Sequence, residues 1–111
     1  MTIEETLASL VDRFNRKAAQ NPALAEELDG VARTIQIHLT DLGTFAVDLT
    51  EGRLQHLRTT ALGKADVTIR TDSATFDGLV RKEIGPMKAL VTRKLTIEGS
   101  LEDKLRIRKL L

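Results

Sequence analysis

Apolar residues along this 111-residue chain switch between helical and strand period four times, and that switching limits its fold more than any other feature. At the start, Ile3, Leu7, Leu10, Val11, Phe14 and Ala18 recur at helical spacing on an otherwise charged segment. Thr2 with Glu5 reads as a capping box in front of that stripe. Asn21-Pro22 places a cap ahead of proline and opens a short second helix that ends near Gly30. From Val31 the period becomes that of a strand. Ile35, Ile37 and Leu39 alternate with Gln36, His38 and Thr40, and after the turn at Asp41-Leu42-Gly43, Phe45, Val47 and Leu49 alternate with Ala46, Asp48 and Thr50. Glu51-Gly52 turns the chain into a weaker strand from Arg53 to Ala61, and Ala65, Val67, Ile69 and Thr71 mark a fourth.

Helical spacing then returns. Ser73 reads as the cap of a helix carrying Phe76, Leu79, Val80 and Ile84, and Gly85-Pro86 starts another with Met87, Leu90 and Val91 facing inward. Lys94 to Glu98 forms a fifth strand, and Ser100 opens a last helix. The order is α-α-β-β-β-β-α-α-β-α, with short turns that predict an antiparallel meander. The fold class is α+β, a five-stranded, mostly antiparallel, twisted sheet with helices packed over one face, in a single domain over residues 1–111.

Composition narrows the function. There is no cysteine, so disulfides and thiolate metal sites are excluded. The formal charge is +1, and Trp and Tyr are absent, which argues against nucleic acid as a partner. With only three Phe, the core and any cavity in it are built chiefly from aliphatic side chains. His38 and His56 are too few for a zinc or iron site, so no metal or other cofactor is expected. Ser9, Ser73 and Ser100 form no nucleophile elbow, and no paired carboxylates stand out, so an enzyme is not expected. Without an apolar leader or an 18-residue apolar run, the expected location is cytoplasmic.

Ala65-Asp66-Val67-Thr68-Ile69, Gly85-Pro86 with Ala89, and Lys94-Leu95-Thr96-Ile97-Glu98-Gly99 together resemble the second half of the sterol carrier protein type-2, or non-specific lipid transfer, family. The first half agrees in element order and in its Gly52-Arg53-Leu54-Gln55 segment. Two positions depart from the pattern. Arg93 and Lys82 stand where the family favours glycine, departures expected to alter how the paired helices sit.

The resemblance implies an apolar cavity between sheet and helices that accepts sterols, fatty acids or acyl thioesters, with no side chain performing chemistry. Its expected lining is Phe76, Leu79, Val80, Met87, Leu90 and Val91 from the helix pair, with Phe14, Ile35, Ile37, Phe45 and Val47 opposite. The same residues, at the same spacings, also read as plain core. Burial contributes about 0.8 kcal/mol per methylene, which supports affinities of about micromolar or weaker once chain ordering is counted. The alternative is a partner module whose apolar groove serves homodimerisation or docking onto an enzyme. Lys104, Arg106, Arg108 and Lys109 make the last helix basic. That reads first as a solvated face and second as a patch for transient contact with anionic lipid.

Overall fold

The computed structural model describes residues 2–110, with side chains through residue 108. Its elements run α1 (Ile3–Gln20), α2 (Pro22–Glu27), β1 (Arg33–Leu39), β2 (Gly43–Thr50), β3 (Arg53–Thr59), β4 (Val67–Thr71), α3 (Ser73–Val80), α4 (Pro86–Val91), β5 (Leu95–Glu98) and α5 (Leu101–Leu110). This is the element order that the apolar periods predict. Thr2 caps α1 by accepting from the Glu5 N–H at 3.2 Å, and Asn21 caps α2 in the same way through the Leu24 N–H.

The five strands form one sheet in the order β3-β2-β1-β4-β5. Three of its pairings are antiparallel, but β1 and β4 run parallel, with Ile35 beside Val67 and Ile37 beside Ile69. The meander therefore stops after β3, which corrects the expectation drawn from the short turns. Residues 60–66 carry the chain across the sheet to the far side of β1 rather than turning it back beside β3. Gln36 accepts from the Leu62 N–H at 2.6 Å. Side chains alternate along a strand, so this crossing lies on the face opposite Ile35 and Ile37. Asp66 then ties the start of β4 to β1: its carboxylate accepts from the Thr34 N–H at 2.8 Å and its own N–H donates to the Thr34 carbonyl at 3.1 Å.

Two hairpin details shape the sheet. Glu51 and Gly52 both have positive φ, 56° and 75°, the geometry of a two-residue turn that matches strand twist. In β3, His56 has φ 57° and sits in a bulge: Ala46 opposes Arg58 while Asp48 opposes Gln55. The extra residue resets the alternation and brings Leu54 and Leu57, three positions apart, to the same side.

Helices α1, α3 and α5 add their apolar residues to the sheet's in a single buried cluster. Helix α1 packs against β3, α2 and α3. Asn15 fastens it to the sheet edge by accepting from the Leu54 N–H at 2.7 Å and donating to the Leu54 carbonyl at 2.9 Å. Arg13 donates to the Val80 carbonyl at 2.8 Å, satisfying one of the free acceptors at the end of α3.

The start of α3 differs from expectation. Its cap is Asp72, which accepts from the Thr75 N–H at 2.7 Å, while Ser73 is the first helical residue and donates to Asp41 instead. Ile84 lies beyond α3, folded back so closely on Gly78 that a Cβ there would come within 2.5 Å of its Cδ1. Both α3 and α4 end in the same hydrogen-bonded motif. Lys82 and Glu83 donate to Leu79 and Gly78, and Arg93 and Lys94 donate to Leu90 and Ala89. Lys82 and Arg93 hold the left-handed position of that motif, with φ 61° and 62°. The helices thus keep the termination that glycine would give, and the two departures from the family pattern are absorbed in backbone conformation.

Candidate hydrophobic ligand site

Alternation along β1 and β2 turns Ile35, Ile37 and Val47 toward α1, and Ile69 of β4 joins them on the same face. Leu7, Leu10, Val11 and Phe14 of α1 cover this patch, Leu54 and Leu57 of β3 close one side, and Ile107 of α5 closes another. The result is a cleft with no polar side chain in its lining, holding about 50 Å³ of free space. That is far below the roughly 300–1,000 Å³ of pockets that hold small molecules, so the cleft is nearly shut.

The expected lining divides into three groups. Phe14, Ile35, Ile37 and Val47 line the cleft. Phe45, Phe76, Leu79 and Val80 are buried in the same apolar cluster but are not part of the cleft's lining. Met87 and Val91, expected to face inward, are instead exposed at 52% and 76%, and Leu90 is half-buried. The reason is local. Helix α4 is a turn and a half long and rests against β5 through Ala89, its one buried residue. A small side chain at that contact lets the helix lie close to the strand, and it turns Met87 and Val91 away.

Sequence reasoning missed Leu7, Leu10, Val11, Leu54, Leu57, Ile69 and Ile107 as lining of this cleft. Ile69 had a usable signal, since it alternates with Thr68 and Arg70 in β4. Leu7, Leu10 and Val11 were visible as part of the first helical stripe, on the same face as Phe14. Leu57 depends on the bulge at His56, and Ile107 on the return of α5 over the helix-covered face.

Two other hollows are larger. One of about 860 Å³ lies between α1, α2 and the β2–β3 turn, lined by Asp12, Arg16, Asp29, Glu51 and Arg53 among others. Its mixed charges and openness to solvent suit water rather than an apolar ligand. A groove of about 450 Å³ runs between α4, β5 and α5. Among the described residues, no three His, Asp or Glu side chains converge as a metal site would require. His38 shares a hydrogen bond of 2.8 Å with Thr44 Oγ1.

The SCP-2 sterol transfer family matches residues 11–111. The chain belongs to that family. Its known members' concern with lipid binding and transfer agrees with an apolar cleft walled by helices and sheet. No curated protein sequence matches the chain. Solved structures share the fold at low identity. Palmitated SCP2L2 from Aedes aegypti is 15% identical with a TM-score of 0.64, over 91% of this chain and 89% of that one. The UbiJ-SCP2 ubiquinone synthesis protein is 13% identical with a TM-score of 0.68, over 93% and 90%. The sec-alkylsulfatase Pisa1 from Pseudomonas sp. is 22% identical with a TM-score of 0.63 over 78% of this chain, which spans only 14% of that enzyme. Among the described residues, no helix is long and apolar enough to cross a membrane.

Proposed function

We propose that this protein is a non-catalytic carrier of hydrophobic ligands such as fatty acids, acyl thioesters or sterols, taken up in the cleft between α1, α5 and the sheet. The observation that carries this reading is the lining itself. Eleven apolar side chains from six elements converge with no polar side chain among them, so the cleft offers burial and nothing to hydrogen-bond or react. Membership of a sterol transfer family and the likeness to a palmitated relative support the same reading.

With only about 50 Å³ free, uptake requires α1 or α5 to move away from the sheet. Each is held at its periphery by a few polar contacts, Asn15 to Leu54 for α1 and Asp103 to Arg33 for α5. Such a site discriminates ligand length and bulk rather than head group, with affinities of about micromolar once opening is counted.

Native mass spectrometry of freshly purified protein, beside displacement of a fluorescent fatty acid, tests this. Co-purified lipid or saturable uptake is expected, weakened by Leu10→Trp in the cleft and unchanged by Leu90→Trp outside it. A clean unliganded mass with no uptake would overturn the carrier reading. It would favour a partner module, as the presence of this fold within the alkylsulfatase suggests.

A further inference from the structure

Of the five large apolar side chains exposed among the described residues, four lie on α4 and α5: Met87, Val91, Leu101 and Leu105. Met87 and Val91 are one turn apart on α4. On α5, Leu101, Lys104, Leu105 and Arg108 follow one another at positions three, four and seven along a single face. This helix face is apolar and basic together, and it points away from the core. The groove between the two helices has Leu90, Leu95 and Ile97 along it, with Arg93, Lys104 and Arg108 beside them. Arg108 reaches Met87 Sδ at 3.3 Å, so the two helices present one continuous surface.

The charges on this surface are not neutralised. Arg93, Lys104 and Arg108, with the exposed Lys88 and Lys94 close in sequence, form no ion pair with another described residue. The acidic residues of β5 and α5 are all engaged: Glu98 with Arg70, Glu102 with Arg106, and Asp103 with Arg33 and Arg106. Arg93 is moreover held at a left-handed backbone position that favours glycine, so a cation stands here against the conformational preference. Because the chain as a whole carries only +1, the cations gathered on this face leave the rest of the molecule net acidic. A dipole of that kind orients the protein toward a negative surface.

We propose that the outer face of α4, β5 and α5 is a docking surface for an anionic lipid bilayer. Exposed aliphatic side chains enter the headgroup boundary while lysine and arginine pair with lipid phosphates and carboxylates. A second copy of the chain fits this face poorly, since a two-fold contact sets the same cations against each other. The assignment is independent of what occupies the cleft, and the complete chain binds without loaded ligand.

Co-sedimentation with vesicles of equimolar phosphatidylcholine and phosphatidylserine, against vesicles of phosphatidylcholine alone, tests it. Binding is expected only to the anionic vesicles and falls with added salt. Lys104→Ala with Arg108→Ala lowers the partition coefficient about 25-fold, at about fivefold per cation. Leu101→Ser and Val91→Ser, at positions too exposed to support the core, each weaken it several-fold, with the fold checked by circular dichroism. Arg16→Glu with Lys17→Glu, on α1, leaves it unchanged. Equal binding to both vesicles, equal loss from the α1 pair, or no loss in any α4–α5 variant would overturn the proposal. So would a dimer in light scattering that Leu101→Ser abolishes without any vesicle binding.

Discussion

Arg33 Nε on β1 donates to both carboxylate oxygens of Asp103 on α5, at 3.1 Å each, joining residues 70 apart in sequence. Asp103 is buried, and Arg106 one turn on donates to it as well, so a single carboxylate serves two guanidinium groups. This contact sets α5 above β1 and brings Ile107 to the cleft. Removing one partner of a buried ion pair strands the other's charge, which costs more than the pair itself is worth. Asp103→Ala is therefore expected to lower stability by about 3 kcal/mol in urea denaturation. Arg33→Ala is expected to cost less, because the Arg33 side chain is 36% exposed and Asp103 keeps Arg106. Faster amide exchange confined to α5 would place the loss at this contact.

The amide of Asn15 meets both backbone groups of Leu54, acting as one rung of a strand at the free edge of the sheet. Asn15→Ala leaves that N–H and carbonyl without their partner beneath α1, so a loss of about 2 kcal/mol is expected. Asn15→Asp is not a rescue. A carboxylate still accepts from the Leu54 N–H but cannot donate to its carbonyl, and thermal denaturation is expected to place it below the native protein.

How far the sequence discloses this molecule depends on the range of the interaction involved. Capping by Thr2 and Asn21, the stripe of α1 and the alternation of β1 and β2 are local, and each is legible from spacing. The parallel pairing of β4 is not, because nothing in Gly63-Lys64 says whether the next strand turns back or crosses over. Nor is the bulge at His56, where a histidine rather than a glycine takes positive φ and moves Leu57 onto the cleft face. The segments that resemble the family mostly serve as scaffold. Asp66 ties β4 to β1, Ala89 seats α4, and Gly99 (φ 152°) leaves only 3.0 Å between a would-be Cβ and the Asp66 carbonyl. Of the residues in the C-terminal segments, only Ile69 lines the cleft. Leu54 and Ile69 thus belong both to the resembling segments and to the cleft, whereas the helix pair that carries much of the resemblance stands outside this cleft.

Asp41, at the β1–β2 turn, accepts from both the hydroxyl and the N–H of Ser73 and so secures the start of α3. The hydroxyl contact, then the backbone one, hold its carboxyl below the ordinary value of 3.8. A depressed folded-state value means that the stabilisation is fully present above pH 3.8 and disappears as pH falls through that lowered value. Asp41→Ala is expected to melt earlier than the native protein at neutral pH. The gap between the two closes in acid, below the unfolded value. A gap that stayed constant down to the lowest pH at which both proteins fold would mean that Asp41 acts through packing and not through its charge.

Lys82 and Arg93 allow the cost of the two helix terminations to be measured separately from what their side chains do. Both take φ near 60°, where a Cβ crowds the backbone and glycine does not. Lys82→Gly and Arg93→Gly are each expected to raise stability by about 0.5–1 kcal/mol in urea denaturation, even after the added freedom of the unfolded chain. Lys82→Val is expected to lower it, since a β-branched side chain is least tolerated at positive φ. The two sites lie on separate helix ends with no shared hydrogen bond, so the glycine gains should add. They should differ in one respect. Lys82→Gly is expected to leave anionic vesicle binding intact, whereas Arg93→Gly gives a more stable protein that binds vesicles less tightly, which would separate a docking role for this arginine from any role in holding the fold.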